Sequence, residues 1–298
     1  MFKRLLSANA SEVLSMSAAE LKLAIAASEG RTIVSENIVI REPVIPDLTN
    51  AEVARSVGAD LILLNMVDVF DPKIGGLDDA SDFVHTLHRL VGCPIGVNLE
   101  PVDEDARMRE ARTHIGAGRT ASAETLTRLE ELGADFVCLT GNPATGVSNQ
   151  TILASVATAK EHFSGLIIAG KMHGAGVNEP VTTPEVARAL VDAGVDVVLV
   201  PAVGTVPGWT DGELIDVVKA AHEAGALVMS TIGTSQESSQ EEVVTQIALR
   251  NKICGVDMQH IGDAGFGGVA LVENILAMSM TIRGKRHAIS RMARSVNR

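Results

Sequence analysis

Lys171 and His173 stand two residues apart at the end of an apolar run, LIIAG, and Asn98 and Glu100 do the same after CPIGV. In an extended chain, side chains two apart share a face, so each pair points into one space. A lysine drawn out of solvent there has a lowered pKa, which suits anion binding, proton transfer or a Schiff base. Anion binding or proton transfer is the preferred role for Lys171, and proton shuttling suits His173. Glu100 and Asp257 complete the candidate catalytic set, and Asn65, Asn98, Thr140, Asn142 and His260 are the candidate substrate-binding groups. Glu100 with Asp257 or His260 also forms an oxygen-rich set suited to Mg²⁺, although no metal spacing motif accompanies it.

A second kind of chemistry is written in the glycines. In ICGVDMQHIGDAGFGGVA, an apolar run breaks at Gly262, and Asp263, Gly265, Gly267 and Gly268 follow before a helical pattern opens at Val269. Glycines let backbone N–H groups approach an anion closely, and a helix N-terminus favours negative charge. The stretch IGTSQESS adds Gly233, Thr234 and Ser235 as further donors. Together the two stretches predict a phosphate site.

Stepping from these residues to the elements that must hold them, Val/Ile/Leu-rich runs fall near 32–36, 60–67, 94–99, 135–140, 165–171, 195–201, 226–232 and 253–260. Helical patterns lie between and after them, near 49–57, 79–91, 120–132, 148–162, 183–193, 211–224, 238–251 and 268–282. The joins SVGADLILLN, ELGADFVCLT, DAGVDVVLVP and EAGALVMSTI each end a helix on glycine (Gly58, Gly133, Gly194, Gly225) and begin a strand at once. Start signals sit at the opposite ends, as at Thr49 before Glu52 and Thr183 before Pro184. Eight such units in about 250 residues predict one (β/α)8 barrel, an α/β fold whose functional groups gather at the C-terminal ends of the strands. A doubly wound open sheet uses the same units, but no GxGxxG follows the first strand. One domain spanning 1–298 is expected, with a helical preface over 1–29 and a helical extension at the C-terminus. The charged segment from Pro101 to Arg119 leaves the functional face and is read as a lid.

Composition narrows the function. Hydrophobic residues make up 46% and aromatics 2%, with no tyrosine, so the core must be aliphatic. A net charge of −12 argues against nucleic acid and acidic membranes as partners. The basic C-terminal stretch (Arg283, Lys285, Arg286, Arg291, Arg294, Arg298) is read as a solvated or subunit-contacting helix end. Cys93, Cys138 and Cys254 show no CxxC or Cys/His spacing and read as buried thiols of a cytoplasmic protein. The preface and the C-terminal helix lie outside the eight units and need cover, so a homo-oligomer is expected.

On the runs CPIGVNLEP and LGADFVCLTGNPATG the chain resembles the phosphate-binding (β/α)8 superfamily, nearest to the BtpA/SgcQ-like barrels. The resemblance implies the barrel and leaves the reaction open. Haloacid dehalogenase chemistry does not fit, because Asp68-Val69-Phe70-Asp71 lacks the DxD spacing. A likeness to phosphoenolpyruvate mutase and isocitrate lyase barrels is weaker, since their acidic metal cluster is not evident. Three readings follow: a lyase, aldolase or isomerase acting on a small phosphorylated metabolite such as a sugar phosphate; a Mg²⁺-dependent enzyme for a phosphonate, 2-oxo acid or phosphoester; or a non-catalytic metabolite-binding barrel.

Overall fold

The start and stop signals act where the sequence places them. Ser17 accepts the Glu20 amide while the Glu20 carboxylate accepts the Ser17 amide at 2.9 Å, opening helix α2 (Ala18–Ala26). Thr49 and Glu52 close the same reciprocal box on α3 (Asn50–Ser56), and Thr183 caps α7 (Pro184–Asp192) with proline at its first turn. Such caps contribute about 1 kcal/mol each. Gly58, Gly133, Gly194 and Gly225 all have left-handed backbones, with φ of 107°, 75°, 108° and 90°. That conformation lets each chain turn from helix to strand without a Cβ penalty.

A computed structural model describes residues 3–263, 265 and 267–298. Its strands are β1 (Thr32–Ile38), β2 (Leu61–Asn65), β3 (Ile95–Leu99), β4 (Phe136–Leu139), β5 (Leu166–Gly170), β6 (Val197–Pro201), β7 (Leu227–Ile232) and β8 (Met258–Ile261). They run parallel in sequence order and close into a barrel through the β1–β8 pair. The remaining helices are α1 (Ala10–Val13), α4 (Phe83–Val91), α5 (Ala123–Glu131), α6 (Asn149–His162), α8 (Asp211–Glu223), α9 (Glu241–Ile253), α10 (Val272–Arg283) and α11 (Lys285–Met292). The eighth strand therefore starts later than the pattern 253–260 suggests. Ile253 ends α9, and Gly255, with φ of 97°, makes the turn.

Two apolar layers follow from strand alternation. Inside the barrel, Val34, Leu61, Leu63, Phe136, Ile168, Leu199 and Met258 pack with Leu5, Leu21 and Ile25 of the preface. The preface thus plugs the N-terminal end of the barrel. Outward residues such as Ile62, Val97 and Val198 pack against the helices. Gly96 is dictated by this packing, since a Cβ there would lie 2.3 Å from the Phe136 ring.

A charged device repeats at the same end. Asp60, Asp135, Asp196 and Asp257 each precede an even-numbered strand and accept the amide of a residue on the strand before. The partners are Ile33, Ile95, Ile167 and Val228, at 2.9, 2.7, 3.1 and 2.8 Å. Each aspartate also donates its own amide to that same residue's carbonyl. Arg283 and Arg291 of the C-terminal stretch join this device, while Lys285, Arg286 and Arg298 stay exposed. Arg283 and Arg291 are buried and both bond Asp60, the latter at 2.8 Å, while Arg55 donates to carbonyls of Val91, Arg291 and Arg294. The preface and the C-terminal helix therefore find cover within their own chain.

Candidate active site

At the C-terminal end of the barrel a continuous polar network crosses four strands. Arg119 donates to Glu100 Oε1 at 2.7 Å, and Glu100 accepts the Asn142 side-chain and backbone nitrogens at 2.7 and 2.8 Å. Asn142 and Asn65 exchange side-chain hydrogen bonds at 2.8 and 3.0 Å, and the Asn98 amide lies 3.1 Å from the Asn65 oxygen. Asn65 donates to Glu36 Oε1 at 2.8 Å, and His260 Nε2 lies 2.8 Å from Glu36 Oε2. Glu36, Asn65, Asn98 and Glu100 point inward from β1, β2 and the end of β3 and are buried, as is His260 from β8, while Asn142 follows β4 and is half-buried.

The electrostatics single out the Glu36 end. Burial raises the cost of ionising Glu36, but bonds from His260 and Asn65, with the nearby His173, outweigh it and hold the carboxyl below its ordinary range. An ionised Glu36 makes Nε2 of His260 the donor, so Nδ1 is the nitrogen left to carry the lone pair whenever the ring holds a single proton. That Nδ1 is buried without a partner among the described residues. Thr140, also in the mouth, keeps its hydroxyl unpartnered, and Arg119 its Nε.

Lys171 takes a different place. Gly170, with φ of 147°, lies so close to β6 that a Cβ would sit 2.0 Å from the Leu199 oxygen. Beyond it Met172 joins the barrel interior, while Lys171 turns to Glu179, 2.6 Å away. Glu179 also accepts the first amide of α6. Burial lowers the Lys171 pKa, against the pull of Glu179 and Asp103. Lys171 therefore pairs with neither Glu100 nor any other group of the network. His173 stays near the mouth: burial lowers it, Lys171 acts in the same direction, and Glu36 and Glu100 raise it.

Asp257 is not brought to the mouth at all. It belongs to the aspartate device at the opposite end, bonded to the Val228 amide and 2.8 Å from His222 Nε2. The late start of β8 puts it outside the strand, and Gln259 faces the helices, donating to Ala248. The Mg²⁺ set of Glu100 with Asp257 or His260 therefore does not converge: Glu100 is saturated by Arg119 and Asn142, and Asp257 is at the far end. Among the described residues no group of three or more His, Cys, Asp or Glu is arranged to hold a metal.

The glycine loops present a mixed picture. Ala264 and Phe266 lie outside the described residues. Gly262 donates its amide to Ile232, and the carbonyls of Gly267 and Gly268 accept from Asn50 and the Ile38 amide. These glycines thus pack the loop onto the β1–α3 connection, where Gly267 has no room for a Cβ beside Val44. A Cβ at Gly233 would collide with Met172, and Thr234 donates its hydroxyl to Thr205. Amides that remain face carboxylates of the chain itself. Burial raises Glu237 to about 7 even though the Ser235 amide and His260 pull it down, and Glu36 adds to the rise. Burial likewise raises Asp263, opposed by the Gly265 and Gly268 amides and Arg41.

Pro101–Arg119 forms a strap over the neighbouring loops. Asp103, Arg109 and Thr113 donate backbone amides to Gly146, Gly176 and Ala144, and Arg107 accepts from Asn178. Glu36, Glu237 and Arg119 are the groups that sequence reading left without a role. Alternation from Val34 places Glu36 inside, whereas Glu237 sits in a Ser/Gln-rich turn with no periodicity to locate it.

A closed parallel barrel with its buried polar groups gathered at the C-terminal mouth defines the (β/α)8 class, in which active sites occupy that face. Within that class the chain belongs to the family described as Domain of unknown function (DUF7916), which matches residues 6–298. Comparison with curated proteins gives no match. Among solved structures the chain is similar to an archaeal fructose 1,6-bisphosphate aldolase, with a TM-score of 0.54 and 16% identity over 87% of this chain and 96% of that one. It is also similar to 2,3-dimethylmalate lyase, a PEP mutase/isocitrate lyase superfamily member, with a TM-score of 0.51 and 15% identity over 83% and 81% of the two chains. At such identities the likeness is one of fold. The phosphoenolpyruvate mutase and isocitrate lyase likeness, faint in the sequence, holds at that level, and the BtpA/SgcQ-like relation stays a resemblance. No described helix is long and apolar enough to cross a membrane.

Proposed function

We propose that the protein is a lyase- or aldolase-type enzyme whose base is His260, oriented by Glu36, acting on a small phosphorylated metabolite held in the mouth. The observation that carries this reading is the fully buried His260, with Nε2 bonded to Glu36 and Nδ1 without a partner among the described residues. A buried imidazole whose second nitrogen is oriented by a carboxylate is arranged for general-base work. The lyase and aldolase structures that share the fold support the reaction class.

The phosphate belongs by this reading to Gly233–Ser235 and Gly262–Gly268. Glu237 and Asp263 stand over amides there, so an anion enters with those carboxyls neutral or displaced, and burial favours the neutral form. Lys171 and Glu100 serve from behind, Lys171 by holding Glu179 beneath the strap and Glu100 by holding Arg119 and Asn142. The test is turnover of a panel of sugar phosphates, fructose 1,6-bisphosphate included, by wild type and His260→Gln. Cleavage by wild type that His260→Gln leaves undiminished removes His260 from the mechanism. Inorganic phosphate that shows no calorimetric binding at any pH from 5 to 8 removes the phosphate site.

A further inference from the structure

Glu237 is 2% exposed, and its Oε2 has no hydrogen-bond partner among the described residues. It lies in the turn after β7, fixed from behind by Asn274 of α10, which donates to its backbone carbonyl at 2.7 Å. A Cβ placed on Gly262 would lie 3.0 Å from Glu237 Oε1 and 3.5 Å from His260 Cε1. A buried carboxyl and a buried imidazole therefore flank Gly262, which they approach through Oε1 and Cε1, and each carries one unpartnered atom, Oε2 and Nδ1. Chains bury such unspent groups at high cost unless a ligand completes them.

We infer that Glu237 and His260, which flank Gly262, form a proton-transfer pair, with Glu237 as the acid and His260 Nδ1 as the base. The inference rests on the proposed lyase or aldolase reading and names the second catalytic group of that site. In a cleavage step, His260 Nδ1 takes the proton of a substrate hydroxyl. The O–H electron pair becomes the new C=O bond as the C–C bond breaks. The C–C pair moves onto the adjacent carbonyl, whose oxygen takes the Glu237 proton to give an enol. The imidazolium is balanced by Glu36, and transfer of its proton back to Glu237 restores the site. The charged and titratable groups around Glu237 agree with a neutral carboxyl at rest. Glu36 opposes its ionisation, its own amide, His260 and the Ser235 amide favour it, and burial prevails.

The test follows carboxyl and imidazole by NMR in full-length protein labelled with 13C at the glutamate carboxyls and 15N at histidine, in wild type and Glu237→Gln. The expected result is one carboxyl titrating near neutral pH that disappears in Glu237→Gln, with His260 Nδ1 shifting at the same midpoint. A Glu237 carboxyl that titrates in the ordinary glutamate range, or a His260 signal indifferent to it, overturns the pair. With a cleaved sugar phosphate, Glu237→Gln should lower kcat about 100-fold, leave KM within about threefold and remove the alkaline limb of the pH profile. An unchanged kcat and profile in Glu237→Gln, with His260→Gln inactive, overturns the inference and leaves the proposed function standing. The NMR signature in a protein that cleaves no member of the panel supports the pair and rejects that substrate class.

Discussion

The two ends of the barrel both carry networks of polar side chains and treat them in opposite ways. At the N-terminal end Asp60, Asp135, Asp196 and Asp257 each hold a strand amide and a cationic or imidazole partner: Arg283 with Arg291, His88, Lys22 and His222. Their hydrogen-bonding capacity is turned inward, toward strand register and toward fastening the preface and the C-terminal helices. At the mouth, Thr140, Glu237, His260 and Asp263 keep buried atoms without partners among the described residues, whereas at the other end only Thr32 Oγ1 and Arg294 Nε are left so and every aspartate is engaged. A fold that ties its acidic groups at one end and leaves a carboxyl and an imidazole open at the other separates stability from function in space.

The strongest test of that separation is Asp60→Ala. It strands the buried guanidinium groups of Arg283 and Arg291 and should destabilise the protein by about 3–5 kcal/mol in urea unfolding, while turnover by the folded fraction is unchanged. His260→Gln is its mirror image. Turnover should fall about 100-fold or more, whereas stability moves by about 1 kcal/mol, because the Gln amide still reaches Glu36. A large stability loss in His260→Gln with activity intact would erase the distinction between the ends.

Glu237→Gln sharpens the same contrast through pH. The folded carboxyl, raised to about 7, binds its proton more tightly than the unfolded chain. Between the unfolded glutamate pKa and about 7 the native state therefore holds more protons, and wild-type stability declines as pH rises through that window. Removing the titration should leave Glu237→Gln close to wild type at pH 4.5 and more stable by about 2 kcal/mol at pH 8. Equal denaturant midpoints at both pH values would show that the mouth stores no such penalty.

The sequence was most legible where a local rule acts alone. Glycine C-caps, capping boxes and strand alternation located eight units, and alternation also placed Asn65, Asn98 and Glu100 inward. It was least legible where the chain leaves a period. One turn at Gly255 moves the start of β8, and with it Asp257 leaves the mouth for the other end. Lys171 is a different case, for alternation from Leu166 and Ile168 carries Met172 into the interior and turns Lys171 away from it to Glu179. Glu237 reaches His260 only through a turn pinned by Asn274, a contact between residues 37 apart that no spacing rule encodes.

The smallest effect falls on Asp257, the residue whose type and neighbours in sequence suggest chemistry and whose position denies it. His222 bonds Asp257, and that bond raises the His222 pKa against a smaller opposing effect of burial. A histidine raised by its partner stabilises the fold fully below its unfolded pKa of about 6.5, and the contribution disappears as pH rises through the folded pKa. His222 is 41% exposed in its side chain, so solvent screens the pair. His222→Ala should therefore lower stability by about 0.5 kcal/mol at pH 5.5 and by nothing measurable at pH 9. Asp257→Asn should show the same pH-dependent difference, beyond a constant loss from the Val228 amide, and should leave kcat unchanged. A fall in kcat that exceeds the fall in folded fraction would return Asp257 to the mechanism and break the division between the two ends at its weakest point.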